Sequence, residues 1–262
     1  MTPELDAAIE AARAAGALLR QRPETITHKG AVDLVTQIDL ASEETIREVF
    51  ARRTPAIPVL AEEGGGAETE RTRWIVDPLD GTTNFVHDFP FYCVSIALEV
   101  EGVLTVAVIY DPTRDRLFRA AAGGGAFCND APIRVSTQQD LGRALVASGF
   151  AYDRRERPDW YLSFVRAFLT RAQGFRRCGS AAMDLTMVAT GQLDGYWEFG
   201  LSPWDVAAGA LLVAEAGGRV SDVERGPLTL NAPRILATNG EVHDAMSAVI
   251  ADILTQRSIE TT

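Results

Sequence analysis

One stretch of twelve residues constrains this chain more than any other: positions 74–85 read WIVDPLDGTTNF. Its first three residues form a short apolar run that predicts a buried strand. Pro78 lacks a backbone donor, so we expect the strand to stop at Asp77 and a loop to open there. Gly81 permits turn angles that would bring the carboxylates of Asp77 and Asp80 onto one centre. Two anions held that close repel each other and need a compensating positive charge.

A second acidic group lies shortly upstream of this motif. Residues 56–60 predict a short strand, and Glu62 and Glu63 follow it in a glycine-rich turn. Either Asp77 or Asp80 alone would be explained as an ordinary turn residue, because Asp is common beside Pro and Gly in turns. That explanation weakens when both aspartates end a buried strand near a further acidic pair. A functional carboxylate cluster is therefore the stronger hypothesis.

Two further carboxylates are expected at helix starts. Asp39 falls in the first turn of a helix that follows a polar loop, and Asp205 lies three residues after the good N-cap Ser202. Capping or the helix dipole would explain each of them taken alone. Together the carboxylates form a hard oxygen donor set without His or Cys, which selects magnesium, manganese or calcium over zinc or copper. Two such ions about 3.5–4 Å apart form the clamp used in phosphoryl hydrolysis. The set comprises Asp39, Glu62, Asp77, Asp80 and Asp205.

Composition excludes several classes of protein. The 262 residues, 47% of them hydrophobic, can bury a core as one large domain or two lobes. No run approaches eighteen apolar residues, and the first residues lack a signal-peptide pattern, so we expect a cytoplasmic protein. Cys93, Cys128 and Cys178 are far apart and are more readily buried thiols than disulfides or a zinc site. A net charge of -11 disfavours binding to nucleic acid or to an anionic membrane.

The order of elements suggests a mixed α+β lobe over residues 1–140 and an α/β lobe over residues 141–262. Helices are expected near 3–21 and from about residue 40, the second with Leu40, Ile46, Val49 and Phe50 on its apolar side. Hairpins are expected at 94–110 and 117–128. The second contains three glycines at 123–125, which we interpret as a plain turn because no phosphate-loop pattern follows.

Five separated motifs resemble those of the inositol monophosphatase family, within the magnesium-dependent, lithium-sensitive sugar phosphatases, and they span almost the whole chain. They are Lys29 with DLVTQID at 33–39, EEG at 62–64, the 74–85 motif, GSA at 179–181, and WD at 204–205 with EAGG at 215–218. The resemblance implies a single catalytic domain over 1–262 with a layered α-β-α-β-α fold of the inositol monophosphatase and fructose-1,6-bisphosphatase type. It also implies a homodimer with the metals between the lobes.

The resemblance further implies a role for each matching position. One Mg²⁺ would be held by Glu62, Asp77 and the Leu79 carbonyl. A second would be held by Asp77, Asp80 and Asp205. A weaker third ion would be bound with the help of Glu62. Thr82, with Asp39 behind it, would activate the attacking water, and Lys29 would lie in a loop near the metals. Asp80, the amides of Gly81 and Thr82, Ala181 and Glu198 would contact the substrate. Ala61 departs from the family, which has glycine before the Glu-Glu pair.

The resemblance points to hydrolysis of myo-inositol 1-phosphate without a phosphoenzyme, with Mn²⁺ as a substitute for Mg²⁺ and Li⁺ as an inhibitor. Fructose 1,6-bisphosphate, histidinol phosphate and adenosine 3',5'-bisphosphate remain alternative substrates. A haloacid-dehalogenase-type phosphatase is a rival, but its two aspartates are two residues apart, whereas Asp77 and Asp80 are three apart. A non-enzymatic regulatory or RNA-associated role is a more distant alternative.

Overall fold

The computed structural model describes residues 2–28, 30, 33–231 and 233–260, the last four by their backbone. Its helices are α1 (Pro3–Leu18), α2 (Gln37–Arg53), α3 (Thr82–Val86), α4 (Pro158–Leu169), α5 (Ala181–Ala189), α6 (Pro203–Glu215) and α7 (His243–Glu260). Strands of the first half are β1 (Ile26–His28), β2 (Leu34–Thr36), β3 (Val59–Ala61), β4 (Gly65–Gly66), β5 (Arg73–Asp80), β6 (Cys93–Val100), β7 (Val103–Asp111), β8 (Arg116–Ala121), β9 (Ala126–Cys128) and β10 (Ala131–Pro132). Strands of the second half are β11 (Leu145–Ser148), β12 (Gly174–Arg176), β13 (Gly195–Glu198), β14 (Arg219–Asp222) and β15 (Ile235–Thr238).

These elements stack in five layers. Helices α1 and α2 pack on one face of an eight-stranded sheet, whose other face packs against α5 and α6. A five-stranded sheet covers the far side of α5 and α6, and α4 and α7 close the stack. The expected α-β-α-β-α arrangement is therefore confirmed. Three apolar clusters, one for each helical layer, fill the spaces between the layers.

The eight-stranded sheet has the order β10-β9-β8-β7-β6-β5-β3-β4 and is antiparallel except where β3 runs parallel to β5. Both predicted hairpins belong to it. The β6–β7 hairpin turns on Glu101 and Gly102, both with positive φ, as a tight two-residue turn requires. At the glycine turn the amides of Gly123 and Gly125 donate to the Glu215 carboxylate, each at 2.8 Å. The plain-turn interpretation is confirmed, because a carboxylate of the chain itself occupies those amides.

The prediction that the central strand stops at Asp77 is wrong. Strand β5 continues to Asp80, and the pairing with β6 shifts by one residue between these two aspartates. This irregularity is a β-bulge, where a proline is tolerated because its missing donor has no ladder partner. Residues three apart in a regular strand point to opposite faces. The extra residue of the bulge lets both aspartates face the same side.

The five-stranded sheet has the order β12-β11-β13-β15-β14, with parallel pairs on one side of β13 and antiparallel pairs on the other. Strand β13 lies at the centre of this sheet and ends at Glu198. Helix α5, which begins directly after Ser180, packs between the two sheets. These two element ends bring the second half of the chain to the site described below.

Other sequence-based assignments need correction. Leu40 is 55% exposed, because six residues at about 100° each place it about 120° around α2 from the buried Ile46. Ile38 is buried in its place. The supposed loop after α1 includes the paired strands β1 and β2, and the supposed loop after Asp80 contains α3. Each of these three elements has five residues or fewer, which is too short for a periodic pattern to indicate.

Candidate active site

A cavity of about 200 Å³ lies where β5, α3, α5, β13 and α6 meet. It is lined by nine of the residues singled out in the sequence: Glu62, Asp77, Leu79, Asp80, Gly81, Thr82, Ala181, Glu198 and Asp205. Asp39 does not line the cavity but contacts Thr82, which does. Lys29 falls outside the described residues. The structure thus brings together positions that are up to 143 residues apart in sequence, from Glu62 to Asp205.

The β5 bulge presents Asp77 and Asp80 from a buried backbone. The Leu79 amide donates to Asp77 Oδ1 at 2.9 Å, and the Ser42 hydroxyl of α2 donates to the Pro78 carbonyl at 2.9 Å. The bulge is therefore held both from inside and by the helix behind it. Sequence reasoning missed Ser42, whose position in a polar helix gives no signal of this contact.

Asp80 is fixed from the opposite half of the chain. Its Oδ2 accepts the Ser180 hydroxyl at 2.7 Å and the Ala182 amide at 2.6 Å, both at the beginning of α5. Ser180 also caps that helix by accepting from the Met183 amide. Ala181, the residue expected to meet substrate, lies between these two donors and lines the cavity. The GSA motif at 179–181 therefore positions Asp80 as well as forming part of the cavity wall.

The buried Asp39 and the partly buried Thr82 form a hydrogen-bonded pair. The Thr82 hydroxyl lies 3.1 Å from Asp39 Oδ1 and 3.1 Å from the Leu79 carbonyl, and it has a single proton to donate. Asp39 Oδ2 accepts from the amide of Thr36 at 2.9 Å and from its hydroxyl at 2.5 Å. The expected place of Asp39 in the first turn of α2 is confirmed. Burial raises the pKa of its carboxyl, although the bonds from Thr36 and Thr82 oppose the increase.

The turn that carries Glu62 is supported by a second glutamate. Glu43 of α2 is buried and accepts from the amides of Glu63 at 2.9 Å and Gly64 at 3.0 Å. Arg47 donates to the same Glu43 carboxylate at 2.8 Å and so balances its charge. Glu62 itself follows β3, and its amide donates to the Val76 carbonyl at 3.2 Å. Ala61 is fully buried in that strand, so its methyl group fits where the family has glycine.

Asp205 enters the cavity from the first turn of α6. The Ser202 amide donates to Asp205 Oδ2 at 2.7 Å, which is the capping contact expected from the sequence. The carboxylate also lines the cavity, and its pKa lies well above the usual value because of burial and the nearby charge of Asp80. Capping and a place in the carboxylate cluster are therefore compatible for this residue.

The cavity concentrates negative charge in a buried space. Burial, followed by the charges of Glu62, Asp80 and Asp205, raises the pKa of Asp77 well above its usual value. Burial raises the pKa of Asp80 to about 6 despite its bonds from Ser180 and Ala182. Mutual repulsion of this kind is relieved when divalent cations are bound among the carboxylates. The donor set is all oxygen, as Mg²⁺ requires.

The carboxylates surround the cavity without forming a closed ligand set. Within residues 2–28, 30, 33–231 and 233–260, no three His, Cys, Asp or Glu side chains already converge on one point as a metal ion would require. Their oxygens instead accept hydrogen bonds from the chain, as Asp77 does from Leu79 and Asp205 does from Ser202. The residues fit divalent cations by donor chemistry and by their uncompensated charge.

The far side of the cavity is built around Glu198, at the end of β13. Tyr196 donates a hydrogen bond to its Oε2, and burial raises the pKa of Glu198 to about 7. A Cβ on Gly149 would lie 2.0 Å from that carboxylate, so only glycine leaves room for it there. Sequence reasoning identified Glu198 by resemblance but did not identify these two neighbours. Gly149 follows a different strand, β11, and Tyr196, two residues before Glu198 in β13, has the pattern of an ordinary core residue.

Four further side chains near this side were missed. Tyr152, Arg154 and Arg177 line the cavity, and Asp184 lies fully buried behind it. Asp184 Oδ1 has no hydrogen-bond partner among the described residues. Burial and the charge of Glu198 raise the pKa of Asp184 well above its usual value. No sequence signal marked them. Arginine and tyrosine are common after strands, and Asp184 has the pattern of an ordinary acidic residue in the first turn of a helix.

The fold and the site define a class of protein. Carboxylates at strand ends, a threonine hydroxyl held by a buried aspartate, and amides of a tight turn after Asp80 surround one small cavity. These are the groups needed to hold divalent cations, a phosphate ester and a water molecule together. The class is that of the phosphoric monoester hydrolases.

Comparisons with known proteins identify the family. The sequence profile of the inositol monophosphatase family matches residues 1–256, so the chain belongs to that family, whose members are generally metal-dependent. It is 49% identical over 255 residues to an inositol-1-monophosphatase of Synechocystis, covering 94% of this chain and 88% of that protein. It is 42% identical to the Nus factor SuhB of Escherichia coli K12, covering 97% and 98%. The structure of an inositol monophosphatase from Anabaena superimposes with a TM-score of 0.87 at 48% identity, covering 95% of each chain.

Proposed function

We propose that this chain hydrolyses the phosphate monoester of a small polyol, with myo-inositol 1-phosphate as its leading substrate and Mg²⁺ as its cofactor. The observation that carries the proposal is the convergence of Asp77 and Asp80 from strand β5 and of Asp205 from helix α6 on one small cavity. The relative of 49% identity is named for that activity. A cavity of about 200 Å³ suits a small substrate.

Glu62, Asp77, the Leu79 carbonyl, Asp80 and Asp205 would hold two or three Mg²⁺ ions. When bound, these ions would neutralise the phosphate and the carboxylates and would supply Lewis acidity to the attacking and leaving oxygens. Mn²⁺ would substitute for Mg²⁺, and Li⁺ would inhibit. The hydrogen bonds to Asp80 from Ser180 and Ala182 fix its orientation, so one of its oxygens stays turned to the second half of the chain.

Thr82 and Asp39 would orient the attacking water. The Thr82 hydroxyl donates to Asp39 Oδ1, which leaves the lone pairs of Thr82 Oγ1 to accept a proton from water. As water attacks phosphorus, the bond from phosphorus to the polyol oxygen would break. The water proton would pass to Thr82 Oγ1 and the Thr82 proton to Asp39, while a proton from solvent water would reach the leaving polyol oxygen. The Thr36 contacts keep Asp39 in place during this transfer.

Gly81 and Thr82 would bind the phosphate through their amides, and no described hydrogen bond uses either amide. Gly81 has φ of 96°, and a Cβ there would lie 3.1 Å from the Phe91 carbonyl, so a side chain would be both strained and crowded. Ala181 and Glu198 would contact hydroxyl groups of the polyol. Substrate selection would therefore be separate from the phosphate site.

Phosphate release tests the proposal. The purified protein is stripped with a chelator and assayed with and without Mg²⁺ on inositol 1-phosphate, fructose 1,6-bisphosphate, histidinol phosphate and adenosine 3',5'-bisphosphate. We expect inositol 1-phosphate to lead, turnover to vanish under chelation and Li⁺ to inhibit. Turnover that survives chelation would contradict the metal role. Trapping of a phosphoaspartate would favour the haloacid-dehalogenase mechanism instead.

Assembly and location are parts of the same proposal. The resemblance supports a homodimer, and the sequence pattern favours the cytoplasm. Sedimentation of the purified protein tests the assembly. Among the described residues, no helix is both long and apolar enough to cross a bilayer. A monomer at assay concentration would contradict the dimer while leaving the activity untouched.

A regulatory or RNA-associated role is a second candidate, because a 42% identical relative is named a Nus factor. The net charge of -11 argues against direct RNA binding by this chain. A mobility-shift assay with RNA at low and high salt tests it. Absence of a shift at every salt concentration would exclude direct binding.

A further inference from the structure

Two arginines face the cavity from the side of Glu198, on a rim that the phosphate chemistry does not use. Arg154 belongs to the short 3-10 helix Tyr152–Arg155 after β11, and Arg177 follows β12. We call Glu198, Arg154 and Arg177 the distal rim. Its arginines come from separate loops, yet both line the same cavity as the carboxylate cluster.

Neither arginine forms a close ion pair within the part of the chain that the structure describes. Among the described residues, no carboxylate lies within 4.0 Å of either guanidinium. Arg154 donates to the Ala151 carbonyl at 3.3 Å, and the Arg177 guanidinium lies 5.7 Å from the centre of the Phe150 ring. Asp153, the nearest acid in sequence, pairs with Arg157 at 3.2 Å and accepts from Tyr161. By contrast, most of the arginines that do contact a carboxylate lie on the outer surface, as Arg13, Arg22 and Arg52 do.

The arginines act on the distal rim and not on the opposite side of the cavity. We call that opposite side, with Glu62, Asp77, Asp80, Thr82 and Asp205, the metal side. The largest charge effects on Asp77 come from Glu62, Asp80 and Asp205, whereas both arginines lower the pKa of Glu198. Arg177 also lowers the pKa of Asp184. The positive potential is therefore placed where the alcohol part of a substrate would lie, opposite the groups that would hold the phosphate to be cleaved.

We infer that Arg154 and Arg177 form a second anion subsite, so the chain also accepts phosphate monoesters whose alcohol carries a further phosphate or carboxylate. Of two substrates with the same carbon skeleton, the one that carries the additional anion should have the higher kcat/KM. This inference rests on the proposed phosphatase function and extends its substrate range. A guanidinium presents a planar fork of N–H donors that suits either anion. In a chain of net charge -11, two local cations also guide an anionic ligand to the cavity mouth.

Matched substrate pairs test the subsite. Fructose 1-phosphate and fructose 1,6-bisphosphate share the ester that is cleaved and differ in one distal phosphate. Glucitol 6-phosphate and 6-phosphogluconate differ in one distal carboxylate. The readout is the ratio of kcat/KM within each pair, measured at low and at high salt. We expect a ratio of about ten or more for the wild type in at least one pair, falling as salt increases. The pair that shows it identifies the anion.

The chain offers matched controls, because Arg155 and Arg176 adjoin the two arginines but do not line the cavity. Arg154→Gln and Arg177→Gln should each lower the ratio about fivefold through KM, and the double variant should bring it near one. Arg155→Gln and Arg176→Gln should leave it at the wild-type value. Sedimentation of every variant shows whether a change in assembly accompanies the effect.

Two outcomes would overturn the subsite. One is a wild-type ratio at or below one in both pairs while the monophosphates are still cleaved. The other is an equal loss on both members of a pair in Arg154→Gln and Arg177→Gln, which would mean that the arginines only support Glu198 or the loop. Failure to cleave any of the monophosphates would instead contradict the proposed function, so the two failures are distinguishable.

Discussion

The two sides of the cavity are built in different ways. The metal side, Glu62, Asp77, Asp80, Thr82 and Asp205, is fixed by hydrogen bonds from the backbone and from α2 and α5. The distal rim combines Glu198, at the end of β13, with two arginines outside the strands, and these arginines have few partners. A rigid side suits chemistry that depends on position, whereas a loosely held rim can change its substrate without disturbing that chemistry. Substitutions on the metal side should therefore lower the rate of hydrolysis, whereas substitutions on the distal rim should change the substrate preference.

The largest effect is expected at Asp77. Asp77→Asn keeps the shape of the side chain but removes the charge shared by the two proposed metal sites. We expect kcat/KM to fall by about a thousandfold or more, with a weaker response to Mg²⁺ in a direct binding titration. The measurements are phosphate release and calorimetric titration with Mg²⁺. Asp115→Asn, at an exposed turn, is the matched control. Full activity in Asp77→Asn would remove the metal side from the mechanism.

Thr82 comes next in size. Thr82→Val fills the same volume but cannot donate to Asp39 or accept a proton from water, so we expect kcat to fall about a hundredfold, the low end for a lost proton-transfer group. Thr82→Ser retains the hydroxyl and should recover most of the rate. The Michaelis constant should change little in either variant, because the phosphate amides remain. A loss confined to KM in Thr82→Val would assign Thr82 to binding instead.

Glu198 should affect preference more than rate. Glu198→Gln keeps a hydrogen-bonding side chain, so we expect relative kcat/KM across polyol phosphates to change by up to about tenfold, which is about 1.4 kcal/mol. The pKa of Glu198 is raised to about 7, so wild-type preference should change between pH 6 and pH 8 as the acid loses its proton. The Gln variant should show no such change. An equal kcat loss on every substrate would place Glu198 on the metal side.

The sequence was informative on one side of this comparison and much less so on the other. Asp77 to Thr82 are contiguous, and the spacing of the two aspartates predicted their convergence, although the bulge that achieves it was read as the end of the strand. Supports such as Ser42 and Glu43 looked like ordinary polar residues of a helix, because their partners are distant in sequence. The arginines of the distal rim depend on where two loops end in space, which no local pattern encodes.

The smallest expected effect concerns Asp184, behind the distal rim, and it is an effect on stability and not on activity. Asp184 is buried, and its Oδ1 has no hydrogen-bond partner in the described part of the chain; burial followed by the charge of Glu198 raises its pKa well above 3.8. The folded protein therefore holds this proton more tightly than the unfolded chain, so the contribution of Asp184 is favourable below pH 3.8 and is lost as pH rises through the folded-state pKa.

Asp184→Asn cannot ionise and should escape that loss. We expect the variant to be more stable than the wild type at pH 8 by about 1 kcal/mol, at the low end of the cost of a buried unsatisfied group. The difference should shrink as pH falls toward 4. Urea unfolding of both proteins in chelator measures it without a contribution from bound metal. A difference that does not depend on pH would show that packing, and not charge, decides the stability of this position. If kcat/KM also stays at the wild-type value, the Asp184 carboxylate lowers the free energy of unfolding and takes no part in the reaction on the metal side.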